Sequence, residues 1–169
     1  AVLGGAAYFC NSGRKIKSSN INGRPVVGKF DASAVTKIEV GGSKKLTLAA
    51  SDNGWVIDSL FGYPADVTKI RENILKLRDL KVGQNARGRT IENGTKVDLK
   101  DAKGAVLASV TLGEQHMSKP RGQAAQFGGG GYPDGRYVKF GDGVVLVKDA
   151  LDAFDGDPKK WCEARICSV

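Results

Sequence analysis

VTKIRENILKLRDL, residues 67–80, is the stretch that decides the fold of this chain. Its apolar side chains recur at offsets of three and four, as Val67, Ile70, Ile74, Leu77 and Leu80. That period predicts an amphipathic α-helix with one apolar stripe. Glu72 stands four residues before Lys76, a spacing that supports a helix. Asp66, just before the stretch, can cap the free backbone amides or interact with the positive end of the helix.

Short strand patterns separated by turn signals lie on both sides of this helix. Strands are predicted at 35–40, 46–48, 55–58, 95–99, 105–112, 137–140 and 144–147. A short second helix is predicted at 150–154 and a last strand within 161–169, while the polar, glycine-rich stretch 113–135 is predicted to separate two strands. This order predicts an α+β fold of antiparallel β-meanders with one main amphipathic helix.

Composition and charge are those of a globular domain. The chain has 169 residues, of which 41% are hydrophobic and 26% charged, so one domain with a real core is expected. Its net charge of +8 is spread along the chain rather than alternating with aromatic residues. Because single-strand binders combine basic and aromatic residues on one surface, we expect no nucleic-acid partner.

The first residues predict where the protein resides. AVLGGAAYF, residues 1–9, is apolar, and a basic cluster of Arg14, Lys15 and Lys17 follows it. We interpret 1–13 as the remnant of an N-terminal membrane anchor, 14–32 as a tether and 33–169 as an extracytoplasmic domain. The tail of a signal peptide and a short buried strand are alternatives. The basic cluster leaves the membrane orientation open, since such residues favour the cytoplasmic side.

Several motifs in a fixed order resemble one protein family. They are 54–57 (GWVI), 62–66 (GYPAD), 94–99 (GTKVDL), 108–113 (ASVTLG), 136–139 (RYVK) and 143–147 (GVVLV). Over roughly residues 33–165 the chain resembles domain of unknown function 4340. The glycine-rich insertion around 121–135 departs from that family's pattern.

The resemblance implies a cellular location but no enzymatic reaction. Members are bacterial proteins, usually with one N-terminal transmembrane helix and a domain on the periplasmic side of the inner membrane. Their genes are often associated with ABC transporters of the gliding-motility type, and the family has no established catalytic residues. The family-motif positions here are Trp55, Tyr63, Pro64, Ala65 and Asp66, for which a structural role is expected. A ligand-stacking platform of Trp55 and Tyr63 is the less favoured interpretation.

The glycine run 128–131 is the main candidate for a binding loop. It lacks the Gly-Lys-Ser/Thr ending of a phosphate-binding loop, and no helix pattern follows it. Loops of this kind can still contact a partner. The candidate partner-binding residues are therefore Gly129, Gly130, Tyr132 and Asp134.

No catalytic or metal site is predicted. His116, the chain's one histidine, has no recognisable triad, although carboxylate chemistry is not excluded. The acidic residues Asp149, Asp152, Asp155 and Asp157 lack the pattern of a calcium-binding loop and are interpreted as helix-end and turn aspartates. The cysteines, Cys10, Cys162 and Cys167, do not form a zinc motif. A disulfide between Cys162 and Cys167 is left open, with buried thiols slightly favoured.

These observations predict a non-enzymatic accessory or scaffold domain without a cofactor. It would be held at the membrane by its N-terminus and contact a protein partner, in a complex associated with an ABC transporter. The alternative is a module that binds an envelope polymer such as glycan or peptidoglycan.

Overall fold

A sheet of nine antiparallel strands and one α-helix make up most of the computed structural model, which describes residues 21–119 and 131–163. The elements are β1 (Lys37–Gly41), β2 (Leu46–Ser51), β3 (Gly54–Ile57), β4 (Tyr63–Ala65), α1 (Val67–Arg78), β5 (Gln84–Asn85), β6 (Thr95–Lys100), β7 (Val106–Ser118), β8 (Tyr132–Phe140) and β9 (Gly143–Val147). Their order across the sheet is β4-β3-β2-β1-β6-β7-β8-β9-β5, so the strands before α1 and those after it form two halves that meet where β1 pairs with β6.

The main helix is confirmed, with one correction to its stripe. Ile70, Ile74 and Leu77 are buried in the core cluster that also holds the inner face of the sheet. The Asp66 carboxylate accepts hydrogen bonds from the amides of the first turn, at 2.9 Å and 3.2 Å. Val67, predicted to belong to the stripe, is 41% exposed because it lies in the first turn beside Gly54 rather than over the core.

The predicted strands of both halves are present. The stretch 113–135, which was predicted to separate two strands, is shorter than predicted at both ends. β7 continues to Ser118 and β8 begins at Tyr132, so each strand extends well into that stretch. The extensions carry mostly polar, exposed residues. Alternation of apolar and polar residues arises only where one face of a strand is buried, so these extensions left no such pattern.

The predicted tether overlaps the folded domain. Ile21 and Val27 are buried in the core cluster, although the sequence placed them in a tether that ended at residue 32. Main-chain hydrogen bonds join this segment to the chain after α1, from the Val26 amide to the Leu80 carbonyl at 2.9 Å and from the Val82 amide to the Arg24 carbonyl at 2.8 Å. The start of the domain at residue 33 was therefore set too late.

The described C-terminal residues, up to Glu163, pack as irregular turns, and the predicted second helix is not an α-helix. The predicted helix at 150–154 is a 3-10 turn over Asp152–Asp155, and a second turn covers Pro158–Lys160. Trp161 is fully buried with its ring edge-to-face on Phe154, 5.4 Å between centroids. Of the predicted strand 161–169, the described residues show one bridge, between Cys162 and Ala65; residues 164–169, including Cys167, lie outside them.

The face of the sheet away from the core is polar at its centre. The carboxylate of Glu39 on β1 forms an ion pair with Lys100 of β6, with 2.6 Å between Nζ and Oε2. It forms a second ion pair with Lys37 of its own strand, with 3.2 Å between Nζ and Oε1. The hydrogen bond from Lys100 is the main reason why the pKa of Glu39 lies below its ordinary value. This ion cluster ties together the two halves of the sheet.

Replacement of the helix cap is expected to weaken the fold. Asp66→Ala leaves two amides of the first turn without their acceptor and should lower the free energy of unfolding by about 1 kcal/mol. Urea denaturation followed by circular dichroism measures the loss. Glu72→Ala, which removes an exposed carboxylate from the same helix, is the matched control and should change stability by less than about 0.5 kcal/mol. Equal losses in the two variants would contradict the cap.

The Glu39 cluster predicts a pH dependence of stability. Because the folded state holds the pKa of Glu39 below its ordinary value of about 4.5, its contribution is present above that pH and is lost as the pH falls through the folded-state pKa. Glu39→Gln should cost about 0.5–1 kcal/mol at neutral pH, and the gap to the parent should narrow in acid. Denaturation midpoints across the acid range test this, with exposed Glu92→Gln as the control. A gap that stays constant would contradict it.

Candidate functional site

Strands β7 and β8 extend beyond both of their neighbours in the sheet. Pairing of β6 with β7 ends at Thr95 and Leu112, and pairing of β9 with β8 ends at Val147 and Arg136. We call the two-stranded extension, residues 113–118 of β7 and 132–135 of β8, the hairpin arm. Its register shifts twice, between Leu112 and Gln115 and again between Gln115 and Met117. Such irregularities increase the local twist of a strand pair.

Gly135 allows the arm to leave the sheet at the end of β9. Its φ is +118°, and a Cβ at this position would lie 2.1 Å from the carbonyl oxygen of Val147. No side chain fits in that space, so the close approach of the two main chains requires glycine.

Arg136 fixes the base of the arm. Its half-buried guanidinium donates to the carbonyl of Gly113 at 2.9 Å and to those of Ala150 and Leu151 at 3.2 Å and 3.1 Å. Burial lowers the pKa of Arg136, and the nearby carboxylate of Asp152 opposes this effect. The side chain thus joins both strands of the arm to the C-terminal segment that covers the core.

An aromatic and basic cluster lies at the root of the arm, on the face away from the core. The Arg89 guanidinium, from the connection between β5 and β6, stacks over the ring of Tyr137, 4.3 Å from its centroid. His116 meets the same ring edge-to-face at 5.7 Å. The Nδ1 atom of His116 is buried and has no hydrogen-bond partner among the described residues. A buried polar atom in this condition costs about 1–3 kcal/mol relative to a paired one.

A groove of about 740 Å³ runs beside the arm. Residues 114–118 of β7 and Lys119 after it line one side of the groove. Arg89, Tyr132, Asp134 and Tyr137 contribute to the rest. Ser118 donates to the carboxylate of Asp134 at 2.8 Å across the strand pair. Met117 and Tyr132 are 50% and 58% exposed. The groove therefore combines main chain, charged groups and exposed apolar side chains, a mixture that suits binding of a ligand.

The predicted partner-binding residues are only partly located. Tyr132 and Asp134 both lie in the hairpin arm and line the groove. Gly129 and Gly130 lie outside the described residues. Sequence reasoning missed Arg89 and Tyr137, because the stacking that joins them connects distant parts of the chain and leaves no local pattern.

The family-motif residues lie away from this groove. Trp55 and Tyr63 are half-buried and pack against the core, Pro64 and Ala65 form β4, and Asp66 caps α1.

The acidic residues near the C-terminus serve as acceptors in turns. Asp149, Asp155 and Asp157 each accept a hydrogen bond from an amide two residues later, at 2.9–3.1 Å. Asp152 accepts from Gln115 of the arm. Over residues 21–119 and 131–163, no three His, Cys, Asp or Glu side chains are grouped as metal ligands would be. Cys162 is buried.

Phe61 forms a second exposed apolar feature, far along the sheet order from the arm. It follows the 3-10 turn Asp58–Leu60, has a φ of +54° and is fully exposed, with Leu60 beside it at 37%. The left-handed conformation costs roughly 1–2 kcal/mol for a residue with a Cβ, and burial does not offset that cost here.

Comparisons with protein-family models, curated proteins and solved structures find no significant match. The resemblance to domain of unknown function 4340 therefore stays a prediction. In the part of the chain that the structure describes, α1 is the one α-helix, and no helix has the length and apolar character needed to cross a bilayer.

Replacement of Arg136 is expected to loosen the arm. Arg136→Lys keeps the charge but cannot reach all three carbonyls, so the free energy of unfolding should fall by about 2 kcal/mol. Amide hydrogen exchange in residues 113–118 should become faster, while exchange in β1 and β2 changes little. Arg87→Lys, at an exposed position, is the control. Unchanged exchange in the arm of the Arg136 variant would contradict its role as the fixing residue.

Proposed function

We propose that this chain is a non-enzymatic accessory domain that binds a protein partner through the hairpin arm. The observation that carries the proposal is the groove beside residues 114–119, together with the exposed side chains of Met117 and Tyr132. Exposed apolar side chains within a polar rim are typical of interaction surfaces. The arm also emerges from a fixed base, which suits a binding element because little order has to be gained on association.

The absence of an enzymatic role is supported by the surroundings of His116. A histidine that acts as a general base needs a group that orients its ring, commonly a carboxylate at the second nitrogen. The His116 ring is instead in contact with the edge of Tyr137, and its Nδ1 has no partner within the described ranges. The aspartates of the C-terminal segment are already engaged as turn acceptors.

Membrane location is proposed from the sequence. The apolar run at residues 1–9, followed by the basic cluster, is typical of a membrane-proximal segment. The resemblance to domain of unknown function 4340 supports a place on the periplasmic side of a bacterial inner membrane, in a complex associated with an ABC transporter. Such a place would present the hairpin arm to proteins of the envelope.

Binding of an envelope glycan is a second candidate. It is favoured by Tyr132, a 58% exposed aromatic ring beside a groove with carboxylate, guanidinium and hydroxyl groups. Aromatic faces and planar polar groups together can recognise sugars as well as peptides.

Site-specific photocrosslinking in native membranes tests the proposal. With the photoreactive residue at Tyr132 we expect one dominant protein adduct, and with the residue at Val106, a 53% exposed apolar position outside the arm, we expect none. Met117→Ser combined with Tyr132→Ser should reduce recovery of that partner by about tenfold or more, the loss of about 1.4 kcal/mol, without unfolding the domain. Val106→Ser is the matched control.

Other adducts would decide between the candidates. A crosslink to a partner from Phe61 but not from Tyr132 would show that the interface lies away from the arm. Saturable binding to purified peptidoglycan, lost in Tyr132→Ala, would favour the glycan candidate instead.

A further inference from the structure

We propose that the groove accepts an extended segment of the partner polypeptide, which adds to the sheet as a new strand along the free edge of β7. This inference rests on the proposed function, and it specifies how the partner is recognised: chiefly through its main chain rather than through particular side chains.

The free edge is a property of the strand pairing. Up to Leu112, β7 has β6 on one side and β8 on the other, but residues 113–118 have β8 alone. At about 3.4 Å per residue the unpaired edge is about 20 Å long. Main-chain N–H and C=O groups of a strand point alternately to its two sides except at bulges, so between the two register shifts of this stretch some of them point away from β8. Across the described residues, no main-chain hydrogen bond from elsewhere reaches them.

The groove is lined by consecutive residues of β7 and by side chains of β8. Successive side chains of a strand point to opposite faces, yet residues 114–119 all line the groove. Because both sets of β7 side chains border it, the groove adjoins the main chain at this edge, next to the place of an added strand, and it also reaches Tyr132, Asp134 and Tyr137 of β8. Binding of an extended peptide at a sheet edge supplies hydrogen bonds in register with the strand and positions alternate side chains on the two faces.

The two outer edges of the sheet are protected, which sets the β7 edge apart. β4 carries Pro64 and pairs with the chain at Cys162 through a bridge from Ala65. β5 is only two residues long, and the bridge between Pro25 and Lys81 lies just before it. Proteins prevent uncontrolled pairing of edge strands by placing proline in them, by keeping them short and by covering them with other segments. On the side where β6 has ended, the chain at 89–93 lies beside Gly113 and Glu114, and no described strand pairs with residues 115–118 there.

The walls of the groove supply further contacts for an added strand. Arg89 is held over the Tyr137 ring, so its guanidinium is positioned beside the edge. Tyr132 and Met117 provide apolar contact at the far end. These groups would adjust the affinity for one segment over another, while the main chain sets the geometry.

A library of short random peptides displayed on phage, selected on the complete 169-residue chain, provides the probe. We expect peptides that slow amide exchange in residues 114–118 by about tenfold or more and leave exchange in β1 and β2 unchanged. In a synthetic copy of a selected peptide, N-methylation at every second residue should weaken binding by about tenfold, and N-methylation at the residues between should have little effect. Glu72→Ala, which removes an exposed carboxylate of α1 outside the groove, should change affinity less than about threefold.

Each other result would overturn strand addition. These results are selection of no peptide, protection at another site such as Phe61, or an N-methylation profile without the period of two. A concentration-dependent dimer protected at residues 114–118 would show that a second copy of this chain is the occupant. If crosslinking through Tyr132 succeeds while no peptide protects the edge, strand addition fails and the proposed function stands. If both experiments fail, the proposed function fails with it.

Discussion

Coverage of one apolar face is the constraint on which this structure depends. Eight spacings of about 4.8 Å make a nine-stranded sheet about 38 Å wide, whereas α1, with twelve residues, is only about 18 Å long. One helix cannot exclude water from a face of that size. The remaining area is covered by apolar residues of two irregular segments, Ile21, Val27 and Val35 before the sheet and Leu151, Phe154 and Trp161 after it.

Main-chain hydrogen bonds hold those irregular segments in place. The N-terminal one is joined to the chain after α1 near Val82, and the C-terminal one is joined to the start of α1, where the Asp66 amide donates to the Trp161 carbonyl at 2.8 Å. Both attachments are made at the ends of the same helix. The helix therefore does more than bury its own stripe, because it also provides the fixed points for the segments that complete the core.

Local patterns were sufficient to predict the elements whose burial is periodic. Helix α1 followed from the spacing of Ile70, Ile74 and Leu77, and its start followed from Asp66. Most strands of the body likewise showed alternation or short apolar runs between turn signals, whereas the very short β4 and β5 were not predicted. The irregular segments could not be predicted, because residues such as Ile21 and Trp161 are buried by contacts with distant elements and have no period of their own. Propensity and pattern report the local environment, and tertiary contacts can override both.

The candidate site shows the same difference between residues that a local pattern indicates and residues that only tertiary contacts bring together. Tyr132 and Asp134 were chosen because they flank a glycine-rich stretch, and the structure places both on a strand of the arm. Arg89 and Tyr137 gave no sequence signal, since only the fold brings them together. The extension of β7 was also missed, because a strand with neither face buried lacks alternation.

The design of the arm combines an open edge with a fixed base. Arg136 holds the root through three main-chain carbonyls, and Gly135 lets the strands pass within contact of β9. An exposed edge on a disordered segment would lose conformational entropy on every association, whereas an edge that is already extended loses much less. Under the proposed function, rigidity at Arg136 would therefore favour binding at the groove over the same residues in a loose loop. No residue of the arm belongs to the core cluster, so the contacts of Arg136 at its root take the place that burial has in the other strands.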